Sequence, residues 1–341
     1  MSFISPIDER VYVQYTSPWA STIPNSTGTP TLSASDAVRH VSCRLSATAN
    51  LISSVAKTGS LGRLIGQKGR RLGSFELVVP LQGSGTAGTL ADMDPLWTNI
   101  FGQAATVVSS TSATYSIAEN ATSLTIWRFR DPSGSNMWNE VLTGGIITDW
   151  EVSGGDEAEA LLTVRGVGVY TSNKPNFTSM STTEKGGISA FPSEPSSPVY
   201  LGIPALAFVG SFTMNSVSSF SAEKFRIYGS TGRNLRPAFG NYNSTVPIQG
   251  PRTIGCDFSV YEEDTSAMAA LRHLAYTKTG FSGVIAIGAT AGNIHTFNLG
   301  GLTLGPESHS DNGSESIISF SGNEASMSAL GANDELTYVA T

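Results

Sequence analysis

Along most of the chain apolar and polar residues alternate one for one, the period of a strand with one buried face. VSCRLSA (41–47), SFELVVPL (74–81), SLTIWRFRD (123–131), ALLTVRGVGVY (160–170), GSFTMNSV (210–217), TIGCDFSVY (253–261) and SIISFSG (316–322) read this way, between Gly, Ser and Asn turns. Two stretches keep the helical period instead. In 92–102, Asp94 is placed to cap, Pro95 suits the first turn, Leu96, Trp97, Ile100 and Phe101 share a face, and Gly102 ends the helix. In 264–280, Met268, Leu271, Leu274 and Ala275 share a face and Gly280 closes it. Many short strands with two short helices predict a mainly β chain of sandwich type.

The alternation lapses over 171–204, where five prolines and many Ser and Thr read as a linker. The halves on either side repeat an order of strand, Gly-rich hairpin, strand, short helix and further strands. Their last segments align without a gap at an offset of 156, 144–166 over 300–322, which sets Glu159 over Glu315 and Leu161–Leu162 over Ile317–Ile318. The predicted organisation is an N-terminal arm (1–34), a first module (35–170), the linker and a second module (205–341).

Charge adds to the repeat. Residues 57–71 hold Lys57, Arg63, Lys68, Arg70 and Arg71 without an acid, and 224–236 hold Lys224, Arg226, Arg233 and Arg236. Late in each half the sign reverses: 131–160 carry seven acids and 301–341 six, with no Lys or Arg in either. Two solvated charge runs are the plain reading. A basic hairpin early and an acidic one late, in both halves, would also let one copy's loop meet the next copy's acidic surface, head to tail.

Composition narrows the function. Only 14% of residues are charged, with 36 glycines, which suits a β-rich protein that covers its surface in an assembly. A net charge of −7 gives no overall attraction to nucleic acid. Cys43 and Cys256 make neither a disulfide framework nor a zinc cluster and read as buried small hydrophobes. The first residues lack the long apolar core of a secretory signal, and no apolar run reaches membrane-spanning length. Gly83-x-Gly85-x-x-Gly88 has the spacing of a dinucleotide loop, but no ribose-binding acid follows about 20 residues on and no βαβ unit surrounds it. His40, His273, His295 and His309 sit in no catalytic or metal motif, and acid pairs such as Asp156/Glu157 lie in a turn. No cofactor, metal or catalytic residue is expected.

The basic Gly-rich loop (57–71), the strand ending in PLQGSGTAG (80–88), the DMDPLW helix start (92–97) and the final pair introduced by NEVLTGGIITDWEVSGGDEAEALLTVRG (139–166) together resemble the tail tube proteins. These are the major tail proteins of long-tailed, siphovirus-type double-stranded DNA phages. The resemblance is strongest over 38–170 and looser over 205–341. It implies two tandem β-sandwich or half-barrel modules, each with a flanking helix and a long stacking hairpin (52–72 and 219–250). Inner strands of neighbouring subunits would join into a barrel around a DNA channel, and a duplicated chain would complete a hexamer-like ring as a trimer with pseudo-sixfold symmetry. It further implies tape measure and tail terminator or tip proteins as partners, viral DNA passing through the lumen, no membrane, assembly in the host cytoplasm and residence in the virion tail.

On this reading Lys57, Arg63, Lys68, Arg70, Arg71, Arg233 and Arg236 are expected at the contact between rings. Asp149, Glu151, Asp156, Glu157, Glu159, Asp311 and Glu315 are expected at the lumen or at the acidic side of that contact. The competing class is a carbohydrate-binding or adhesin sandwich of a tail tip or fibre, for which Trp19, Trp127, Trp138 and Trp150 are the candidate platforms, although Trp127 and Trp150 sit in alternating strand patterns and read more simply as core. A glycan hydrolase built on the acid pairs is a third.

Overall fold

The computed structural model describes residues 9–16, 32–52, 67–120, 122–130, 138–155, 158–175, 204–207, 209–217, 220–236, 246–311, 313 and 315–341. The chain is mainly β and antiparallel. Its first half contains β1 (Glu9–Thr16), β2 (Ser42–Ile52), β3 (Gln67–Pro80), α1 (Asp94–Phe101), β4 (Thr106–Val108), β5 (Ser112–Ser116), β6 (Ser123–Arg130), β7 (Trp138–Gly155), β8 (Leu161–Gly168) and β9 (Tyr170–Pro175). Its second half contains β10 (Gly210–Met214), β11 (Ala222–Ser230), β12 (Arg233–Arg236), β13 (Val246–Gln249), β14 (Thr253–Tyr261), α2 (Ser266–Thr277), β15 (Phe281–Ile287), β16 (His295–Leu302), β17 (Glu307–Asp311), β18 (Ser316–Phe320) and β19 (Leu336–Ala340).

The long sheet runs β2-β3-β8-β7-β11-β14-β18-β17. Its first four strands come from one half and its last four from the other, in the same order of succession along the chain. The second layer repeats as well. β1, β6, the start of β7 and β9 pair in that sequence, and β10, β15, β16 and β19 do the same. β7 therefore serves both layers: Trp138–Gly145 runs against β6, and Ile146–Ser153 against β8. In the second half β16 and β17 divide that work. The strand Glu9–Thr16, which the sequence reading leaves in an N-terminal arm, is a full member of its layer, in register with β6 over all eight residues.

Both helices form where the apolar spacing places them, with different caps. Thr265 accepts the Met268 N–H at 3.2 Å as a side-chain N-cap. Asp94 does not cap: Met93 is the N-cap of α1, and the Asp94 carboxylate accepts the Tyr115 hydroxyl at 2.7 Å instead. Gly102 closes α1 with φ +80°, the left-handed conformation glycine supplies without strain. Trp97, Leu96 and Phe101 are fully buried, and Trp97 sits 4.4 Å from the Tyr338 ring of the other half. One apolar core runs through both halves, taking in Trp150 and Val152 of β7 together with Phe225 and Ile227 of β11.

Candidate functional site: a shared sheet with two open edges

Where the halves meet, β7 and β11 pair antiparallel over seven residues, from Lys224 opposite Gly155 to Ser230 opposite Asp149. Alternation turns Trp150, Val152, Phe225 and Ile227 into the core and leaves Asp149, Glu151, Lys224, Arg226 and Tyr228 on the opposite, polar face. Arg226 Nη2 donates to Glu151 Oε2 at 2.9 Å, its Nη1 lies 3.6 Å from Asp257 Oδ2, and its guanidinium stacks 4.5 Å from the Tyr228 ring. The Glu151 hydrogen bond is the main cause that raises the guanidinium's already high pKa.

Across four neighbouring strands of this face, Arg44, Glu76, Arg165 and Asp149 stand opposite one another in a row of alternating sign. Arg165 closes on Glu76 at 3.1 Å. With Lys224, Arg226, Glu151 and Asp257, these residues put four positive and four negative charges on the described part of the face. Serines and threonines such as Ser42, Ser74, Thr163 and Ser259 surround them. The described part of the face is thus charge-balanced, with the expected lumen or contact acids Asp149 and Glu151 set among bases. Asp149 has Arg165 opposite it on β8, and Glu151 is bonded to Arg226 on β11.

Among the described residues the sheet ends in β2 on one side and β17 on the other. All five residues of β17 are exposed. Its side chains also run against the gap-free alignment of the halves. Val152 pairs with Leu162 across nine intervening residues, whereas His309 pairs with Ile318 across eight. One residue fewer in the hairpin turns every β17 side chain over. Glu307 therefore takes the place of Trp150 rather than Glu151, and Glu307, His309 and Asp311 point to the helix side. There Arg272 of α2 donates to Glu307 at 3.2 Å and to Glu262 at 3.1 Å. Asp311 is thus no counterpart of the β7 acids, and its carboxylate accepts the Gly313 N–H at 2.6 Å.

The glycines of QGSGTAG hold the halves together on the other layer. Gly83 N–H donates to Asn293 Oδ1 at 2.8 Å and Gly85 N–H to the Gly292 carbonyl at 3.0 Å. A Cβ on Gly83 would lie 1.9 Å from the Gly292 carbonyl oxygen, so no side chain fits. Because a backbone N–H pins Asn293 Oδ1 as an acceptor, His295 Nε2 donates to it (3.2 Å), and His295 Nδ1 accepts the Tyr338 hydroxyl (2.7 Å). A hydroxyl can also accept, so it is complete burial, pushing the imidazole pKa down to about 3, that keeps the ring neutral and leaves Nδ1 as the acceptor. β5 adds a further clasp by pairing with β19, carrying first-half residues into the second half's layer.

The remaining predicted residues separate. Lys57, Arg63, Asp156 and Glu157 lie outside the described residues, as does Trp19. Lys68, Arg70 and Arg71 fall within β3, whose backbone continues its ladder with β2 as far as Gln67 opposite Ile52. Arg236 is exposed at the end of the β12–β13 ribbon, and Glu159 and Glu315 are exposed. Arg233 is buried and leaves the contact set. Its guanidinium reaches the Asn99 carbonyl at the end of α1, the Ala118 carbonyl at 3.2 Å and Gln249 Oε1 at 3.1 Å, and burial lowers its pKa to about 10. Lys224 and Arg226, read from sequence as part of a basic hairpin, are sheet residues. Of the tryptophan platforms, Trp127 and Trp150 are core, and Trp138 carries the Arg130 guanidinium 5.5 Å from its ring.

Two groups of ionisable residues elsewhere are engaged in structure. Glu9, Arg128, Glu140 and Arg130 form a chain of ion pairs of 2.7–3.0 Å that ties β1 to β6 and β7. At the cleft beside α1, Asp36 accepts the Ser33 N–H at 2.7 Å, and Asp92, whose carboxyl burial pushes up to about 6, accepts the Arg39 N–H at 3.3 Å. Among the described residues no group of three or more His, Cys, Asp or Glu is placed to hold a metal, and no helix is long and apolar enough to cross a membrane. No protein-family model and no curated protein sequence matches the chain.

Proposed function

We propose that the chain is a structural, non-catalytic protein that polymerises head to tail into rings stacked as a phage-type tail tube, a conduit for DNA. One observation carries the reading. Among the described residues the long sheet is a four-strand set laid down twice, joined last strand to first, and left with an open first strand and an open last strand. A surface that continues itself is the heterologous contact that closes into a ring when its rotation permits. Closure also removes the exposed edges that would otherwise invite irregular pairing.

Three chains would supply three times eight strands. At about 4.8 Å between strands and a tilt of about 40°, 24 strands close at a backbone diameter of roughly 45–50 Å, wide enough for a DNA duplex after the side-chain layer. On this reading the polar face lines the lumen. Its cross-strand ion pairs and hydroxyls present neither a basic surface that would hold phosphates by counterion release nor one strongly repelling them. The two sandwich modules, tape measure and terminator partners and a place in the virion tail belong to the same proposal, which the resemblance supports. Negative-stain microscopy of the purified protein tests it: rings or tubes with a central hole are expected, and a monodisperse monomer that binds glycans overturns it.

A further inference from the structure

Resting on that reading, we propose the register in which one chain joins the next: β17 pairs antiparallel with β2 of a second copy, with Ser310 opposite Arg44, His309 opposite Leu45 and Ser308 opposite Ser46. The chain holds its own template. Arg44 stands opposite Glu76 on β3 as Arg226 stands opposite Asp257 on β14, so Cys43, Arg44 and Leu45 occupy the places of Phe225, Arg226 and Ile227. One strand further, Leu77 opposes Val164 as Phe258 opposes Phe320. One further again, Val164 opposes Trp150 as Phe320 opposes Glu307. Trp150, Glu151, Val152 and Ser153 therefore correspond to Glu307, Ser308, His309 and Ser310. The internal pairs Arg226–Ser153, Ile227–Val152 and Tyr228–Glu151 then translate directly into the pairs between chains.

The same correspondence makes the two seams of a ring unequal. Inside the chain, Trp150 and Val152 bury against the core beside Phe225 and Ile227. Between chains those two places hold Glu307 and His309, which, pointing inward from an edge strand, guard it against indiscriminate pairing. The internal seam also has the β4–β5 hairpin, inserted between α1 and β6 and paired with β19. The matching connection from α2 to β15 is only residues 278–280, with no room for such a clasp. The seam between chains is accordingly the one that opens first.

Cysteine cross-linking of the full chain tests the register. Directly opposed Cα atoms of an antiparallel pair lie about 4.5–5.5 Å apart, within disulfide reach, while a two-residue slip puts them beyond about 7 Å. Arg44→Cys/Ser310→Cys, and as a second pair Ser46→Cys/Ser308→Cys, are expected on mild oxidation to give a ladder of covalent dimers and trimers on non-reducing gels. The slipped pair Arg44→Cys/Ser308→Cys and each single variant should stay monomeric. The native thiols give little background, because Cys43 is buried with its pKa pushed up to about 12 and Cys256 is fully buried. Rings by microscopy that cross-link only at the slipped pair, or at none, overturn the register and leave the ring reading standing. Oxidised samples holding only monomers, with no rings, overturn both.

Discussion

His295 offers a quantitative test of how the halves are joined, because its ring must stay neutral for the Gly83–Asn293–His295–Tyr338 chain to exist. The imidazole titrates near 6.5 in an unfolded chain and near 3 in the folded one. Between those values the unfolded chain binds a proton that the folded chain refuses. Stability is therefore whole above pH 6.5 and falls as pH drops through the window, at about 1.4 kcal/mol per pH unit. From pH 7.5 to 4.5 the loss from this group is roughly 3 kcal/mol. With about 2.1 cal/mol/K of unfolding entropy per residue over 341 residues, that is a fall in Tm of about 4 °C. Asp92, raised by burial to about 6, titrates in the same range in the opposite sense, so the quantity to measure is the difference between wild type and His295→Gln. The variant is expected to lose some stability at pH 7.5 but to show a shallower decline to pH 4.5, the gap closing by about 4 °C in calorimetry. Parallel curves for the two proteins would refute the neutral, buried histidine.

Four substitutions probe other joints by thermal unfolding. Asn99 is fully buried, donating to the Thr122 carbonyl and accepting the Ile147 N–H at 2.8 Å where β7 crosses between layers. Asn99→Ala strands both backbone groups at about 1–3 kcal/mol each, so a Tm drop of about 3–8 °C is expected and one under 1 °C would contradict the role. Gly85 and Gly292 both have positive φ, but a Cβ at Gly85 meets nothing within 4 Å whereas one at Gly292 would lie 2.2 Å from the Gly85 carbonyl carbon. Gly292→Ala should thus destabilise clearly more than Gly85→Ala, and equal effects would show that the two loops do not touch. Arg226→Ala removes an exposed pair worth about 0.2–1 kcal/mol, so a Tm change above about 3 °C would mean the triad holds the seam more firmly than its exposure allows.

The strands with clean alternation and both helices were legible because each carries its own period. β11 shows what obscures such a strand: KFRIY alternates correctly, yet Lys224 and Arg226 read as part of a basic loop when charge is counted without periodicity. β17 carries no apolar residue on either face, so nothing local marks it as a strand; only its partner β18 does. The missing hairpin residue that turns Glu307 inward is invisible to an alignment that matches the flanking glycines. Burial of Arg233 against carbonyls at the end of α1, and the closeness of Gly83 to Gly292, depend on residues more than a hundred positions apart. The site itself is only half local, since an open edge is a property of sheet order rather than of any motif.

The number of chains in the smallest closed assembly bears most directly on the central claim, that one chain supplies two of six equivalent four-strand sets. Native mass spectrometry of rings formed by the full chain reads it without further assumptions. Three copies of 35.7 kDa, near 107 kDa, is the predicted mass. A closed ring of six chains, or a chain that stays single at every concentration, would contradict the account.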